Sequence, residues 1–321
     1  MPFPEAHHVA LHMRYATGAP QRLLDDPATL AVIGFGQAAG LPDSERALRV
    51  GLEPLGPAPW EVWRGRAPVR SGREGALAWS TDGDHLFFAI ELDEDRHDGI
   101  AGATAAAYRQ LSAFVRASAT PHVLRIWNYF DAINLGEGDD ERYRLFCDGR
   151  ARGLAAAEWT HYPAATAIGR RDGVRTLQVY GLASRHPGRP LENPRQVSAW
   201  RYPRQYGPTA PAFARGMLDA DGELLISGTA AVVGHASAHP GDLDAQTIET
   251  LANIDALIEG SGGAADGPLS LKAYVRHPAD AARIAAAIAP RLADPGDLVL
   301  LAGDICRSEL LVEVDGMRHA A

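Results

Sequence analysis

The sequence predicts an α/β (α+β) protein built from two β-β-α-β-α-β halves, and three observations carry that reading. The same order of apolar runs and amphipathic stretches occurs twice, first between residues 75 and 182 and again between 224 and 314. Val123–Asn128 (VLRIWN) aligns with Leu269–Tyr274 (LSLKAY) at the same place in each copy. A chain of 321 residues, 46% hydrophobic and 22% charged, is long enough for two globular domains or one duplicated domain.

The elements follow in order. In the first copy, strands near 75–80 and 86–92 precede a helix over about 100–117, the strand 123–129, a helix over about 141–157, and strands near 165–169 and 176–182. In the second, apolar runs at 224–227 and 229–233 lead to a helix that Asp242 or Asp244 caps and that runs to Ile258. The strand 269–275, an alanine-rich helix over about 278–292, and paired strands at 298–301 and 310–314 complete it. Between the copies, residues 185–215 have neither period and are rich in Pro, Arg and Tyr, the mark of a long functional loop. The glycine-rich stretch 260–267 reads as a plain surface loop. The expected domains are 1–184, with an N-terminal extension, and 185–321.

Charge and motifs remove several function classes. A net charge of −9 argues against a nucleic-acid or anionic-membrane surface, so any bound anion must meet a local arginine cluster. Lys272 is the only lysine. Cys147 and Cys306 form neither a disulfide framework nor a CxxC metal signature, and no apolar stretch has membrane-spanning length. A soluble cytoplasmic protein is expected. Gly34-x-Gly36-x-x-Ala39 follows an apolar run as a dinucleotide fingerprint would, but Pro42 falls where the phosphate-binding helix should be running. The pairs His8/His12 and His235/His239 lack a third ligand at a recognisable spacing. No cofactor and no metal are expected.

Two segments carry chemistry. In 304–316 strand alternation puts Leu310, Val312 and Val314 on one face and Glu309, Leu311, Glu313 and Asp315 on the other. Glu313, flanked by valines, loses hydration, which raises its pKa and suits it to deliver a proton near neutral pH. In 193–207, Arg195, Arg201 and Arg204 stand among Trp200, Tyr202 and Tyr206. Guanidinium groups grip carboxylates bidentately and tyrosines add hydroxyls and flat walls, a combination suited to a small carboxylated ring.

Several spaced blocks, 125–134 (RIWNYFDAIN), 141–150 (ERYRLFCDGR), the 193–207 tract, 226–235 (ISGTAAVVGH) and 304–314, together resemble the chorismatase family. The resemblance covers most of the chain beyond residue 75 and implies two halves like those of Rid deaminase and chorismate-mutase trimers. It implies chorismate as substrate, pyruvate and 3-hydroxybenzoate as products, with 4-hydroxybenzoate accompanying it in some relatives. Glu313 matches the family's catalytic glutamate, which protonates the enolpyruvyl methylene carbon. Cys306 matches a position that separates subtypes, cysteine accompanying 3-hydroxybenzoate formation. A second subtype position falls at Ala230 or Ala231, where alanine is closer to the subtype that hydrolyses chorismate to 3,4-dihydroxycyclohexa-1,5-dienoate. Tyr143, Arg150, Arg195, Arg201, Tyr202, Arg204, Tyr206 and Arg307 are the candidates to hold the substrate carboxylates. A Rid-type imine deaminase and a non-catalytic binder of aromatic acids are the alternatives, and either a monomer or a Rid-like trimer fits the duplication.

Overall fold

The computed structural model describes residues 11–37, 40–157, 159–263 and 266–320; His8, Ala38 and Ala39 lie outside them. The N-terminal extension forms a sheet of its own, which the sequence reading did not foresee. Its strands are β1 (His12–Ala16), β2 (Thr29–Phe35), β3 (Ala47–Val50) and β4 (Trp60–Arg64), in the order β1-β4-β2-β3, with the short helix α1 (Pro20–Leu24) between the first two. Every residue of β2 is buried, as a continuous apolar run requires. Gly36 then turns the chain at φ 63° toward β3, which pairs parallel with β2. Strand β2 is thus followed by a strand, where the fingerprint needs a helix.

The first half comprises β5 (Arg70–Glu74), β6 (Leu77–Thr81), β7 (His85–Asp93), α2 (Gly99–Ala117), β8 (His122–Asp131), α3 (Arg142–Leu154), β9 (Ala164–Arg170) and β10 (Thr176–Ser184). The second comprises β11 (Arg189–Leu191), β12 (Gly216–Leu218), β13 (Leu224–Ala230), the small hairpin β14 (Val232–Val233) and β15 (Ala236–Ser237), α4 (Leu243–Gly260), β16 (Leu269–Val275), α5 (Ala281–Ile288), β17 (Leu298–Ala302), β18 (Asp304–Ile305) and β19 (Val312–Arg318). The sheets run β9-β8-β10-β7-β6-β5 and β17-β16-β19-β13-β12-β11. These orders superimpose strand for strand. Each has one parallel pair, β8 with β9 and β16 with β17, so the alignment of 123–128 with 269–274 falls on equivalent strands.

Three local readings need correction. The runs 224–227 and 229–233 are not two strands: β13 continues through a register shift between Ile226 and Thr229, and the first strand of the repeat is β12. Three residues beginning with glycine show no period, which is why β12 was invisible. The runs 298–301 and 310–314 do not pair, because β16 lies between β17 and β19. Finally, β18 leaves the second half and pairs with β9 of the first, Asp304 opposite Gly169 and Ile305 opposite Ile168. That crossing carries the following residues, Cys306 and Arg307, to the seam between the halves.

Helix α2 buries Ile100, Ala103, Ala107, Leu111 and Val115 at helical spacing. Helix α3 packs on it almost backbone to backbone: a Cβ on Gly149 would stand 2.2 Å from the Ala101 carbonyl oxygen, and one on Gly153 would stand 2.7 Å from Tyr108 Cβ. Asp242 caps α4, accepting from the Ala245 N–H at 3.0 Å. Among the described residues no helix is long and apolar enough to cross a membrane.

Candidate active site

A cavity of about 470 Å³, in the usual range for small-molecule sites, opens where the two halves meet. Helix α3 gives one wall through Tyr143, Phe146, Cys147 and Arg150, residues at i, i+3, i+4 and i+7 that share a helix face. The middle of β8 and β9 contributes Asn128, Ala165, Thr166 and Ala167. The irregular tract adds Tyr202, Tyr206, Phe213 and Arg215, and the second half closes the space with Gly228, Ala230, Cys306, Arg307 and Glu313.

Glu313 lies in β19 between β13 and β16, its Cα opposite Ala230 on one side and Tyr274 on the other. It is 5% exposed, and the exposed part faces the cavity. Burial pushes its carboxyl up to about 8, the charge of Asp315 adds to the rise, and Arg125, Arg215 and Arg276 oppose it. A group so poised is protonated at neutral pH and can act as a general acid. Room for the carboxyl comes from Gly228, where a Cβ would fall 2.0 Å from Glu313 Oε1 and 3.2 Å from Thr166 Oγ1. The register shift in β13 sets that glycine in place. It is pinned across the seam by Ser227, whose hydroxyl donates to the Ala214 carbonyl at 2.6 Å and accepts from Ala165 N–H at 2.9 Å.

Cationic groups line the opposite walls. Arg150 is 4% exposed, its guanidinium 5.1 Å from the Tyr108 ring centroid, and its Nε and Nη2 are buried with no hydrogen-bond partner among the described residues. Unpaired donors on a buried cation are costly unless a ligand anion meets them. Arg215, also buried, donates to Tyr202 OH at 2.7 Å and to the Val197 carbonyl at 2.9 Å. The Arg307 guanidinium stacks 3.9 Å from the Tyr206 ring centroid and is held by the His235 carbonyl at 2.9 Å and Ser237 Oγ at 3.1 Å. Cys306 is half-buried on the same wall, and burial, with the Glu313 charge second, pushes its thiol up to about 12. The thiol is therefore neutral at physiological pH.

Of the residues singled out from sequence, Glu313, Cys306, Tyr143, Arg150, Tyr202, Tyr206, Ala230 and Arg307 converge on this cavity. Arg195, Arg201 and Arg204 do not line it. Arg195 is ion-paired with Glu249 of α4, Arg204 reaches out to Asp139 at 2.5 Å, and Arg201 is exposed. Residues 199–201 and 204–206 form two short turns; Tyr202 and Tyr206 line the cavity, while Arg201 and Arg204 are exposed. Ala231, just past the end of β13, does not line the cavity and is wholly buried in a small apolar cluster with Ala230, Val232, Ile305 and Leu310. The sequence reading missed Asn128, Thr166, Arg215 and Gly228; a polar Asn inside the apolar run 123–129 was the one local signal. The His235/His239 pair has no helix to carry it, since His239 adopts φ 53° beyond β15. His85, Asp219 and Asp221 offer ligand atoms within 4.8 Å of one another, but Asp221 is already paired with Arg66 and none of the three lines the cavity.

A duplicated α/β fold that closes an arginine-lined cavity over a buried carboxylic acid has the form of an enzyme site for a small anion. Residues 61–183 match the family described as Chorismatase FkbO/Hyg5-like, N-terminal. A 3-hydroxybenzoate synthase of Streptomyces hygroscopicus is 35% identical over 277 residues, covering 80% of both chains. A chorismatase of Streptomyces rapamycinicus is 36% identical over 275 residues, 80% of this chain and 81% of the relative. A chorismatase crystal structure superimposes with a TM-score of 0.85 at 32% identity, covering 97% of this chain and 98% of that one. The chain belongs to the chorismatase family.

Proposed function

We propose that this protein converts chorismate to pyruvate and 3-hydroxybenzoate, with 4-hydroxybenzoate as an accompanying product, using no cofactor. The observation that carries this reading is Glu313, a buried carboxylic acid raised to about 8 at the wall of a cavity where two Arg150 nitrogens have no partner among the described residues. The similarity to a 3-hydroxybenzoate synthase supports the choice of product.

Arg150, Arg215 and Arg307, with the hydroxyls of Tyr202 and Tyr206, hold the ring and enolpyruvyl carboxylates. Glu313 gives its proton to the enolpyruvyl methylene carbon, which becomes the methyl group of pyruvate. The ether oxygen turns into an oxocarbenium centre, and its bond to the ring weakens. The neighbouring ring hydroxyl attacks the carbon that loses pyruvate, closing an arene-oxide-like intermediate, and the proton it sheds restores Glu313. Opening and aromatisation give hydroxybenzoate, with all atoms of chorismate divided between two products and no water consumed. Cys306 and Phe146 narrow the cavity and exclude water from the attacked carbon.

Ala230, the ladder partner of Glu313, is the observation favouring the alternative hydrolytic product, 3,4-dihydroxycyclohexa-1,5-dienoate. Incubation with chorismate, followed by quantification of pyruvate, both hydroxybenzoates and the diene diol, decides. Equimolar pyruvate and hydroxybenzoate is the expected outcome. Diene diol in place of aromatic product would shift the assignment to hydrolysis, and absence of pyruvate would reject the reading.

A further inference from the structure

The only lysine of the chain is buried where the three sheets meet. Lys272 of β16 is 1% exposed; its Nζ donates to Glu61 Oε2 of β4 at 2.7 Å and to Tyr180 OH at 3.2 Å, and lies 4.0 Å from Asp315 Oδ1. Trp63 Nε1 donates to the other Glu61 oxygen at 2.7 Å. Asp315 is wholly buried, and four donors converge on its Oδ2: Arg125 Nη2 at 3.0 Å, Trp127 Nε1 at 2.9 Å, Thr166 Oγ1 at 2.8 Å and Tyr274 OH at 2.9 Å. Arg125, Asp315, Lys272 and Glu61 form a chain of alternating charge linking the N-terminal sheet to both halves. Buried ion networks contribute little net stability over well-packed apolar groups, so stability alone does not account for this one.

Its position does. Asp315 follows Glu313 by two residues on the same face of β19. Thr166, which donates to Asp315, crowds the same point beside Gly228 that the Glu313 carboxyl crowds. We propose that Asp315 is the positioning residue that keeps Glu313 protonated between turnovers, and that the Lys272–Glu61 pair holds the Asp315 carboxylate in place. The inference rests on the reading of Glu313 as the acid. The charged and titratable groups facing Glu313 are Asp315 on its own strand, Arg125 from β8, Arg276 after β16, Arg215 from the tract, Tyr143 from α3 and Cys306 from the crossing. Asp315 is the acid among them, and it opposes ionisation of Glu313 against three arginines.

The test is the pH profile of kcat for pyruvate release. In Asp315→Asn the arginines act on Glu313 unopposed, so the alkaline limb, where the acid form is lost, moves down by roughly one to two pH units. Turnover at pH 8 then falls about tenfold while turnover near pH 5.5 stays within about threefold of wild type. Glu61→Gln, which frees the Lys272 charge to offset Asp315, moves the limb the same way by less, and decides the matter if Asp315→Asn fails to fold. A uniform loss of rate with unmoved limbs in the folded variants makes the network merely structural and overturns the proposal. Glu313→Gln in parallel separates the two readings: if it remains active, the acid assignment itself fails, whereas an inactive Glu313→Gln beside an unshifted Asp315→Asn profile removes only Asp315.

Discussion

Gly228→Ala should disable the enzyme without unfolding it. The added Cβ would stand 2.0 Å from Glu313 Oε1, while a carbon–oxygen contact settles near about 3.3 Å, so something must give by about 1.3 Å. The backbone is poorly placed to yield. Ser227 ties it to Ala214 and Ala165, and on its other flank Thr166 Oγ1 is 3.2 Å from the new atom and anchored to Asp315. The Glu313 carboxyl, at the cavity wall, has space to retreat, and it retreats from the carbon it must protonate. Misplacement of a reacting group by about 1 Å costs on the order of 10²-fold in rate, or about 2.7 kcal/mol of barrier. Pyruvate release from chorismate would show kcat reduced about 100-fold, with KM changed less than about threefold because Arg150, Arg215 and Arg307 are untouched. A folded variant with kcat within about threefold of wild type would mean that the carboxyl position beside Gly228 is not the working one.

Glu313→Gln should release no pyruvate above background, since the amide cannot donate the proton. It should also gain stability relative to wild type as pH rises from about 4.5 to about 8: an acid whose folded value lies above its unfolded one contributes most below the unfolded value and loses that contribution through the folded one. Thermal melts of both proteins at pH 5 and 8 check this, and a constant difference would contradict the buried neutral acid. Cys306→Ala should keep releasing pyruvate with less 3-hydroxybenzoate and more diene diol, because a thiol pushed up to about 12 is no base and acts by filling space; collapse of total turnover without new product would instead make it an essential group. Arg150→Lys should raise KM about tenfold through loss of the bidentate fork, whereas Arg204→Lys, whose guanidinium faces Asp139 and solvent, should leave it within about twofold; the reverse pattern would move the anion site outward.

Much of the fold was legible because its periodic elements are long: β8 and β16 are ten and seven residues, and α2 has nineteen. The N-terminal sheet escaped because β1, β3 and β4 are four or five residues each, separated by stretches rich in Pro and Gly, and gain their strand character only from pairing. In the site, Glu313 announced itself as a carboxylate inside an apolar strand. The arginines of 195–204 misled, because clustering along an irregular segment does not fix which way side chains face. Arg150 read only as part of a resembling block, since its value lies in two donors left unpaired among the described residues. Gly228 and Thr166 carry no local signal: their roles arise where β13 meets β9 and β19, contacts made across more than sixty residues of sequence.

The stoichiometry of the wild-type reaction is the decisive test of the proposed conversion. Purified protein incubated with chorismate at pH 7 should yield one pyruvate and one hydroxybenzoate, chiefly the 3-isomer, per chorismate consumed, and the matched Glu313→Gln sample should yield neither. Chorismate left intact by the folded wild-type protein, or equal turnover in the two samples, would contradict it.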